Sequence, residues 1–225
     1  MHNADLAPLL SLRWTELSPR IARDRVEGLG WKMCGQGDWA YAYRSPSGQL
    51  VARVSPFEPV YGYFVELCRR CAGNRHVPSL ELATRLEGGG HLAVLEHLAV
   101  PARNSVETFL GDWERPARSD PDLRALRREV DAIDERGRRT VPWWTGIDLG
   151  ERHVLLSTDG NLKVIDLFSV GWSLLDDLLR DPQAFASRVP PDRCRYLLDI
   201  PDLQLNDHPA DYLPRLRAAL AVMTS

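Results

Sequence analysis

The stretch Gly146 to Phe168 limits what this chain can fold into more than any other. It reads Gly-Ile-Asp-Leu-Gly-Glu-Arg-His-Val-Leu-Leu-Ser-Thr-Asp-Gly-Asn-Leu-Lys-Val-Ile-Asp-Leu-Phe. Val154 to Leu156 is a short apolar run, and Leu162 to Ile165 is a second one rich in β-formers. Between them, Thr158 to Asn161 carries turn chemistry, with Gly160 free to take a positive φ. The pattern predicts loop, strand, turn, strand, acid. A hairpin of this kind holds two carboxylates, Asp148 before it and Asp166 after it, at the same end.

The chain has 225 residues and is 44% hydrophobic, enough for a sizeable core in one domain or two small lobes. A formal charge of −3 and a pI of about 6.1 speak against a nucleic-acid or anionic-membrane partner. Lys32 and Lys163 are the only lysines among many arginines. No apolar run reaches transmembrane length, and no basic segment followed by an apolar one opens the chain. The four cysteines are too few for a disulfide framework in a chain this long. These features lead us to expect a cytoplasmic protein.

Leu6, Leu9, Leu10 and Trp14 fall at helical spacing, and Ser18-Pro19 starts a second helix ending near Gly28. Both read as a brace on the core. From Trp31 to Leu98 the punctuation predicts strands: Trp31 to Arg44 reads as a strand, a Gly-x-Gly turn at Gly35 and Gly37 and an alternating aromatic strand, and Leu50 to Val54 follows as a third strand after the Ser45–Gly48 turn. Pro59 to Cys71 predicts a helix, with Phe64, Leu67, Cys68 and Cys71 on one stripe and Glu66 off it. Cys68 and Cys71 read as buried thiols rather than a metal pair, since only His76 is near. Ser79 to Arg85 and His91 to Leu95 predict two more strands. Asn104 is placed as the cap of a helix through Trp113. Ser119-Asp120-Pro121 starts a long helix with Leu123, Leu126, Val130 and Ile133 on its buried face. Helices are also expected around Trp172 to Leu179 and Tyr212 to Met223.

The order Asp148-Leu, Val-Leu-Leu, turn, Leu-Lys-Val-Ile-Asp166-Leu-Phe resembles the catalytic core of the protein-kinase-like superfamily. Other stretches fit the same family. Gly35 and Gly37 sit where a Gly-x-Gly turn brings backbone N–H groups to phosphates, though such a turn is equally an ordinary hairpin. Ala40 stands where kinases carry a third glycine. Leu50 to Val54 resembles the strand bearing the phosphate-binding lysine, with Arg53 at the lysine position. Glu66 matches the helix glutamate that pairs with that cation. Val94 to Leu98 resembles the hinge, with Leu95 lining the base pocket and Glu96 and Leu98 presenting backbone groups to adenine.

The resemblance implies an α+β, protein-kinase-like two-lobed fold. An N-terminal brace and N-lobe, an antiparallel sheet with one helix, would span 1–98. A reduced, mainly helical C-lobe would span 99–225, closest in size to atypical bacterial kinases and aminoglycoside-phosphotransferase-like proteins. It further implies ATP with Mg²⁺ or Mn²⁺, Asp148 as base, and Asp166 as metal ligand. The acceptor, a small molecule or a peptide, stays unnamed. The chain also departs from the family. His153 replaces the metal-binding asparagine, and imidazole suits Mn²⁺ better than Mg²⁺. Gly146 and Ile147 replace the His-Arg before the first aspartate, and Asp166-Leu-Phe168 replaces Asp-Phe-Gly. Two readings therefore stand: an ATP-dependent phosphotransferase with an atypical site, and a pseudokinase serving as a regulatory or partner-binding module.

Overall fold

The computed structural model describes residues 4–115, 120–205 and 207–224; Ser119, expected in the start of the long helix, lies outside them. In chain order the helices and strands are α1 (Ala7–Leu10), α2 (Pro19–Gly28), β1 (Lys32–Gln36), β2 (Tyr41–Arg44), β3 (Leu50–Ser55), α3 (Tyr61–Arg70), β4 (Leu80–Arg85), β5 (His91–Glu96), α4 (Arg103–Glu114), α5 (Pro121–Thr140), β6 (Trp144–Ile147), β7 (Val154–Leu156), β8 (Leu162–Val164), β9 (Phe168–Val170), α6 (Ser173–Arg180), α7 (Pro182–Ala186) and α8 (Tyr212–Met223). The fold class is α+β as expected. The main sheet has five strands in the order β1-β2-β3-β5-β4, and one helix, α3, lies between β3 and β4 in the sequence. The chain divides into two compact units, one of Met1–Pro59, Glu81–Val94 and Trp172–Ser225, the other of Val60–Leu80 and Leu95–Gly171. No helix among the described residues is long and apolar enough to cross a membrane.

The first unit is built around the sheet. Alternation along β3 turns Leu50, Ala52 and Val54 to one face and leaves Val51 and Arg53 on the other. The first set packs into a cluster with Tyr41, Tyr43, Leu92 and Val94, and with Leu6, Leu9, Trp14, Ala22 and Val26 from the N-terminal segment. The N-terminal segment therefore braces the sheet, though not through the single helix that the leucine spacing predicts. α1 stops at Leu10, and Trp14 lies in a separate 3-10 turn. The Trp14 indole N–H donates to the Leu9 carbonyl at 2.7 Å, which folds the tryptophan back over the end of α1. α2 begins as predicted, with Ser18 Oγ accepting from the Ile21 N–H.

The closing segment belongs to this unit too. Arg20 holds Asp199 through two bonds of 2.6 Å, and the Asp202 N–H donates to the Asp38 carbonyl at 3.1 Å. Trp172 stacks on Trp39 with ring centroids 4.6 Å apart. The turn after β1 is thus held by residues from the far end of the chain.

The second unit is organised by α5. Asp120 caps it, its carboxylate accepting from the Asp122 and Leu123 N–H groups, and Leu123, Leu126, Val130 and Ile133 are buried as predicted. α4 begins one residue before Asn104, with Ala102 at the cap; Asn104 sits in the first turn and accepts from the Ser105 N–H. α3 packs on α5, and so does β6. The Trp144 indole donates to Asp134 at 2.6 Å, and its ring lies against Gly137.

Gly137 is where this packing is tightest. A Cβ there would meet the Trp144 ring at 2.4 Å. In an unobstructed helix interior, Gly→Ala stabilises by about 0.5–1 kcal/mol. Here the added methyl must displace Trp144, the first residue of β6, and overpacking of this kind costs about 1–3 kcal/mol. Gly137→Ala is therefore expected to lower the urea midpoint, against the sign that helix propensity alone would give; a raised midpoint would show that Trp144 moves aside freely.

Candidate functional site

The hairpin expected between Val154 and Ile165 is present, with Val154 opposite Val164, Leu155 opposite Lys163 and Leu156 opposite Leu162. Gly160 takes φ 82° at its turn. A second ladder, which the sequence did not reveal, completes the arrangement. β6 runs antiparallel to β9, pairing Ile147 with Phe168, and the Asp148 N–H donates to the Leu167 carbonyl at 2.8 Å. Asp148 and Asp166 thus lie at one end of the same ladder, a single step apart across the strands. Asp166 has φ 47°, the only positive φ of a non-glycine residue among those described. Aspartate tolerates the left-handed region better than most residues, but a held conformation of this kind stores strain and clusters at functional sites.

His153 ties the loop after Asp148 to the hairpin. Its ring Nδ1 hydrogen-bonds the Asp148 carbonyl, and its own carbonyl accepts from the Ile165 N–H at 2.9 Å. An imidazole facing a carbonyl must donate, so the neutral ring carries its lone pair on Nε2. The Asp148 carboxylate is half-exposed, with Oδ1 4.0 Å from Nδ1. Among the described residues no three His, Cys, Asp or Glu side chains come together as a metal cage. The donors fit a cation that takes one or two carboxylates from protein and the rest from phosphate and water, which is how Mg²⁺ is commonly held.

The stretch from Val94 to Leu98 ends β5 and leads to an isolated bridge at Ala99. Leu95 is buried at the end of β5. Of the backbone groups expected to face adenine, the Glu96 N–H donates to the Ser79 carbonyl at 3.1 Å. Its side chain accepts from the Ser79 N–H at 2.7 Å and from Lys163 Nζ at 2.5 Å. This buried ion pair fixes the stretch to β8. Leu98 is half-buried, and the next residue, Ala99, exchanges two backbone bonds of 2.7 and 2.8 Å with Leu156. Nothing in the Leu-Lys-Val pattern names Glu96 as the partner of Lys163, although a lysine inside an apolar run signals that it needs one.

In the first unit, Gly35 pairs with Ala42 beside a bulge in β1, and the Gly37 N–H donates to the Ala40 carbonyl at 2.9 Å. That donor, expected to reach a phosphate, closes its own turn instead. Arg53 departs further. Its two terminal nitrogens grip the Glu58 carboxylate at 2.5 and 3.0 Å, and both side chains are almost fully buried. Glu66, expected as the partner of Arg53, is bonded in the second unit to Arg136 and to Arg70. The reason is local. The loop after β3 presents Glu58 five residues on, where a planar fork can take a carboxylate in two parallel bonds. Cys68 and Cys71 are free thiols; burial pushes the Cys68 thiol up to about 12, which leaves it protonated and inert. His76 bonds Asp120 and the Leu162 carbonyl at 3.0 and 2.8 Å, not a metal.

No protein-family model matches this sequence, and no curated protein matches it. Among solved structures the chain is similar to a chain of the CAK complex from Chaetomium thermophilum bound to ATP-gamma-S, at 14% identity and a TM-score of 0.38. The match covers 66% of this chain and spans half the length of the other.

His91, at the start of β5, is buried near Arg53. Burial first, then the charges of Arg85 and Arg53, lower its pKa to about 4. The native state therefore refuses a proton that the unfolded chain accepts at its ordinary pKa of about 6.5. Between those values the unfolded state binds more protons, so stability falls as pH falls from about 6.5 to about 4, by up to about 3 kcal/mol in all. Denaturation midpoints measured across this window should drop in the wild type and drop less in His91→Gln; equal slopes would assign the acid sensitivity to other groups.

Proposed function

We propose that this chain is an ATP-dependent phosphotransferase of kinase-like fold with an atypical site. Asp148 aligns the acceptor hydroxyl and receives its proton, and Asp166 holds a divalent cation on the nucleotide's phosphates. The observation that carries this reading is the β6–β9 ladder, which sets the two carboxylate residues one step apart with Asp166 in a left-handed backbone conformation. Phosphoryl transfer asks little covalent chemistry of a protein. It needs charge neutralised at the phosphates and a nucleophile held in line, and two fixed acids of different function supply the minimum. Asp148 is half-exposed, as a residue meeting an incoming acceptor must be. The cation is Mg²⁺ or Mn²⁺. The lone pair on His153 Nε2 adds a softer donor, which suits Mn²⁺.

A second reading, a pseudokinase that binds a nucleotide or a partner without turnover, is favoured by specific contacts. The Gly37 and Glu96 N–H groups are used within the fold, and the strand cation is an arginine already gripped by a carboxylate. The two readings separate by substitution. Asp148→Asn should leave ATP affinity within about twofold in calorimetry and lower turnover by about 10²–10⁴-fold, the range for losing a positioned base. Asp166→Ala should remove the metal dependence of nucleotide binding. Unchanged cellular output from Asp148→Asn would exclude catalysis and leave the binding module.

His153→Asn restores the residue usual in the family at this position. The shorter amide loses the ring's bond to the Asp148 carbonyl, so the loop carrying Asp148 should loosen. We expect turnover with Mn²⁺ to fall more than turnover with Mg²⁺; a rise with both metals would mean that the imidazole only obstructs the site.

A further inference from the structure

We propose that a cavity at the turn end of the β7–β8 hairpin binds an ω-amino acid, a short aliphatic chain with an ammonium at one end and a carboxylate at the other. The cavity has a volume of about 390 Å³, within the range of small-molecule sites. It lies wholly in the second unit, among α4, the start of α5, the loop after α3 and the Gly160–Leu162 side of the hairpin. Asp148 and Asp166 flank the opposite, open end of that hairpin, beyond the Val154–Val164 pair, so the cavity is separate from the site proposed above.

One wall is fixed by His76. Its buried ring bonds the Leu162 carbonyl at 2.8 Å through Nδ1 and the Asp120 carboxylate at 3.0 Å through Nε2. The His76 carbonyl accepts from the Val164 N–H at 3.0 Å. One residue thus joins the hairpin to the first turn of α5, and the space between them is formed before a ligand enters. Arg75 lies on the same wall, with Nη2 2.9 Å from the Asp120 carboxylate, so each charge of that pair is answered by the other.

Another wall is one face of α4. Ser105, Thr108, Phe109 and Asp112 recur there at i, i+3, i+4 and i+7, with Asn104 beside Ser105. Asn104 Oδ1 accepts from the Ser105 N–H at 3.0 Å, which leaves the Asn104 amide NH₂ and the Ser105 hydroxyl, both exposed, as donors for a ligand. Asp112 stands seven residues after Ser105, about 10 Å along the helix axis. Among the described residues its carboxylate has no ion pair and no hydrogen bond, and it is the one acid of the cavity whose charge is unanswered. Between these ends lie the buried Phe109 ring and, from α5, buried Leu123. A donor end, an apolar middle and an anionic end are the complement of a carboxylate, a methylene chain and an ammonium. A carboxylate alone would meet Asp112 uncompensated, and an ammonium alone would leave the Asn104 and Ser105 donors to water.

Calorimetric titration of the full chain with 6-aminohexanoate, hexylamine and hexanoate tests the assignment. We expect 6-aminohexanoate to bind and each singly charged analogue to bind at least about tenfold more weakly, the loss of one charge-assisted bond. Asp112→Asn should weaken 6-aminohexanoate at least about tenfold and tighten hexanoate, which no longer meets a like charge. Asn104→Asp keeps the acceptor for the Ser105 N–H and removes the donor, and should bring 6-aminohexanoate down to the affinity of hexylamine. The Asp112 side chain holds no other described residue, so Asp112→Asn leaves the fold intact. No binding of 6-aminohexanoate at millimolar concentration, equal binding of hexylamine and 6-aminohexanoate, or wild-type affinity in Asp112→Asn would each overturn the proposal. ATP plays no part in these titrations, so a chain that binds 6-aminohexanoate but no nucleotide keeps this site and loses the phosphotransferase reading.

Discussion

Everything chemically distinctive in the second unit depends on a few backbone hydrogen bonds at one corner of the chain. The Asp148 N–H donates to the Leu167 carbonyl, and the Ile165 N–H donates to the His153 carbonyl. Between Ile165 and Leu167 the chain must turn out of β8 and into β9, and Asp166 absorbs that turn with its positive φ. Both bonds are main-chain, so they specify geometry without specifying side chains. The side chains then follow: two acids at one ladder end, with the His153 ring closing the loop between β6 and β7. The corner is supported from behind by helix packing. β6 sits on α5 because Gly137 admits the Trp144 ring, and the Trp144 indole finds Asp134 one turn earlier on the helix. A residue seven positions before β6 thus governs where Asp148 sits.

The first unit solves a different problem. Its sheet needs one apolar face covered, and the chain covers it with its own N-terminal segment. The strand register makes this unambiguous. Because side chains alternate, burying Leu50, Ala52 and Val54 obliges Arg53 to face the other way. An arginine so placed is half-way to burial and must find a counter-charge, which Glu58 supplies. The turn after β1 is restrained as well, by the Trp39–Trp172 stack and by the Asp202 N–H. The closing segment is part of the fold of this unit, not an appendage to it.

The sequence revealed those features whose cause is local. The start of α5 was legible because Asp120-Pro121 is an N-terminal signal and the apolar stripe repeats for three turns. The hairpin at Gly160 was legible because turn residues separate two apolar runs. The β6–β9 ladder was not: each strand is three or four residues long, one contains a positive-φ glycine, and the partner is more than twenty residues away. The broken N-terminal helix escaped notice because Leu6, Leu9 and Trp14 are all buried whether the segment is one helix or a helix and a turn. Of the candidate site, Asp148 and Asp166 lie at one end of one ladder, and His153 bonds the Asp148 carbonyl. The partners of Arg53, Glu96 and Lys163 did not emerge, since a charge says only that it needs a counter-charge and never which one.

The identity of the strand cation explains that last failure in physical terms. A lysine carries a compact ammonium on a flexible stem, and its partner is set by whichever acid the fold brings within reach. An arginine carries a plane, and its best partner is the carboxylate that can lie in that plane and take two bonds at once. Matching Arg53 to a lysine position therefore transfers the charge but not the partner. Glu66, on the face of α3 turned to Arg136, satisfies the charge of a neighbouring helix. Glu58, on a short loop next to β3, satisfies the plane. Since the pair is buried, its formation is tied to the folding of its own unit.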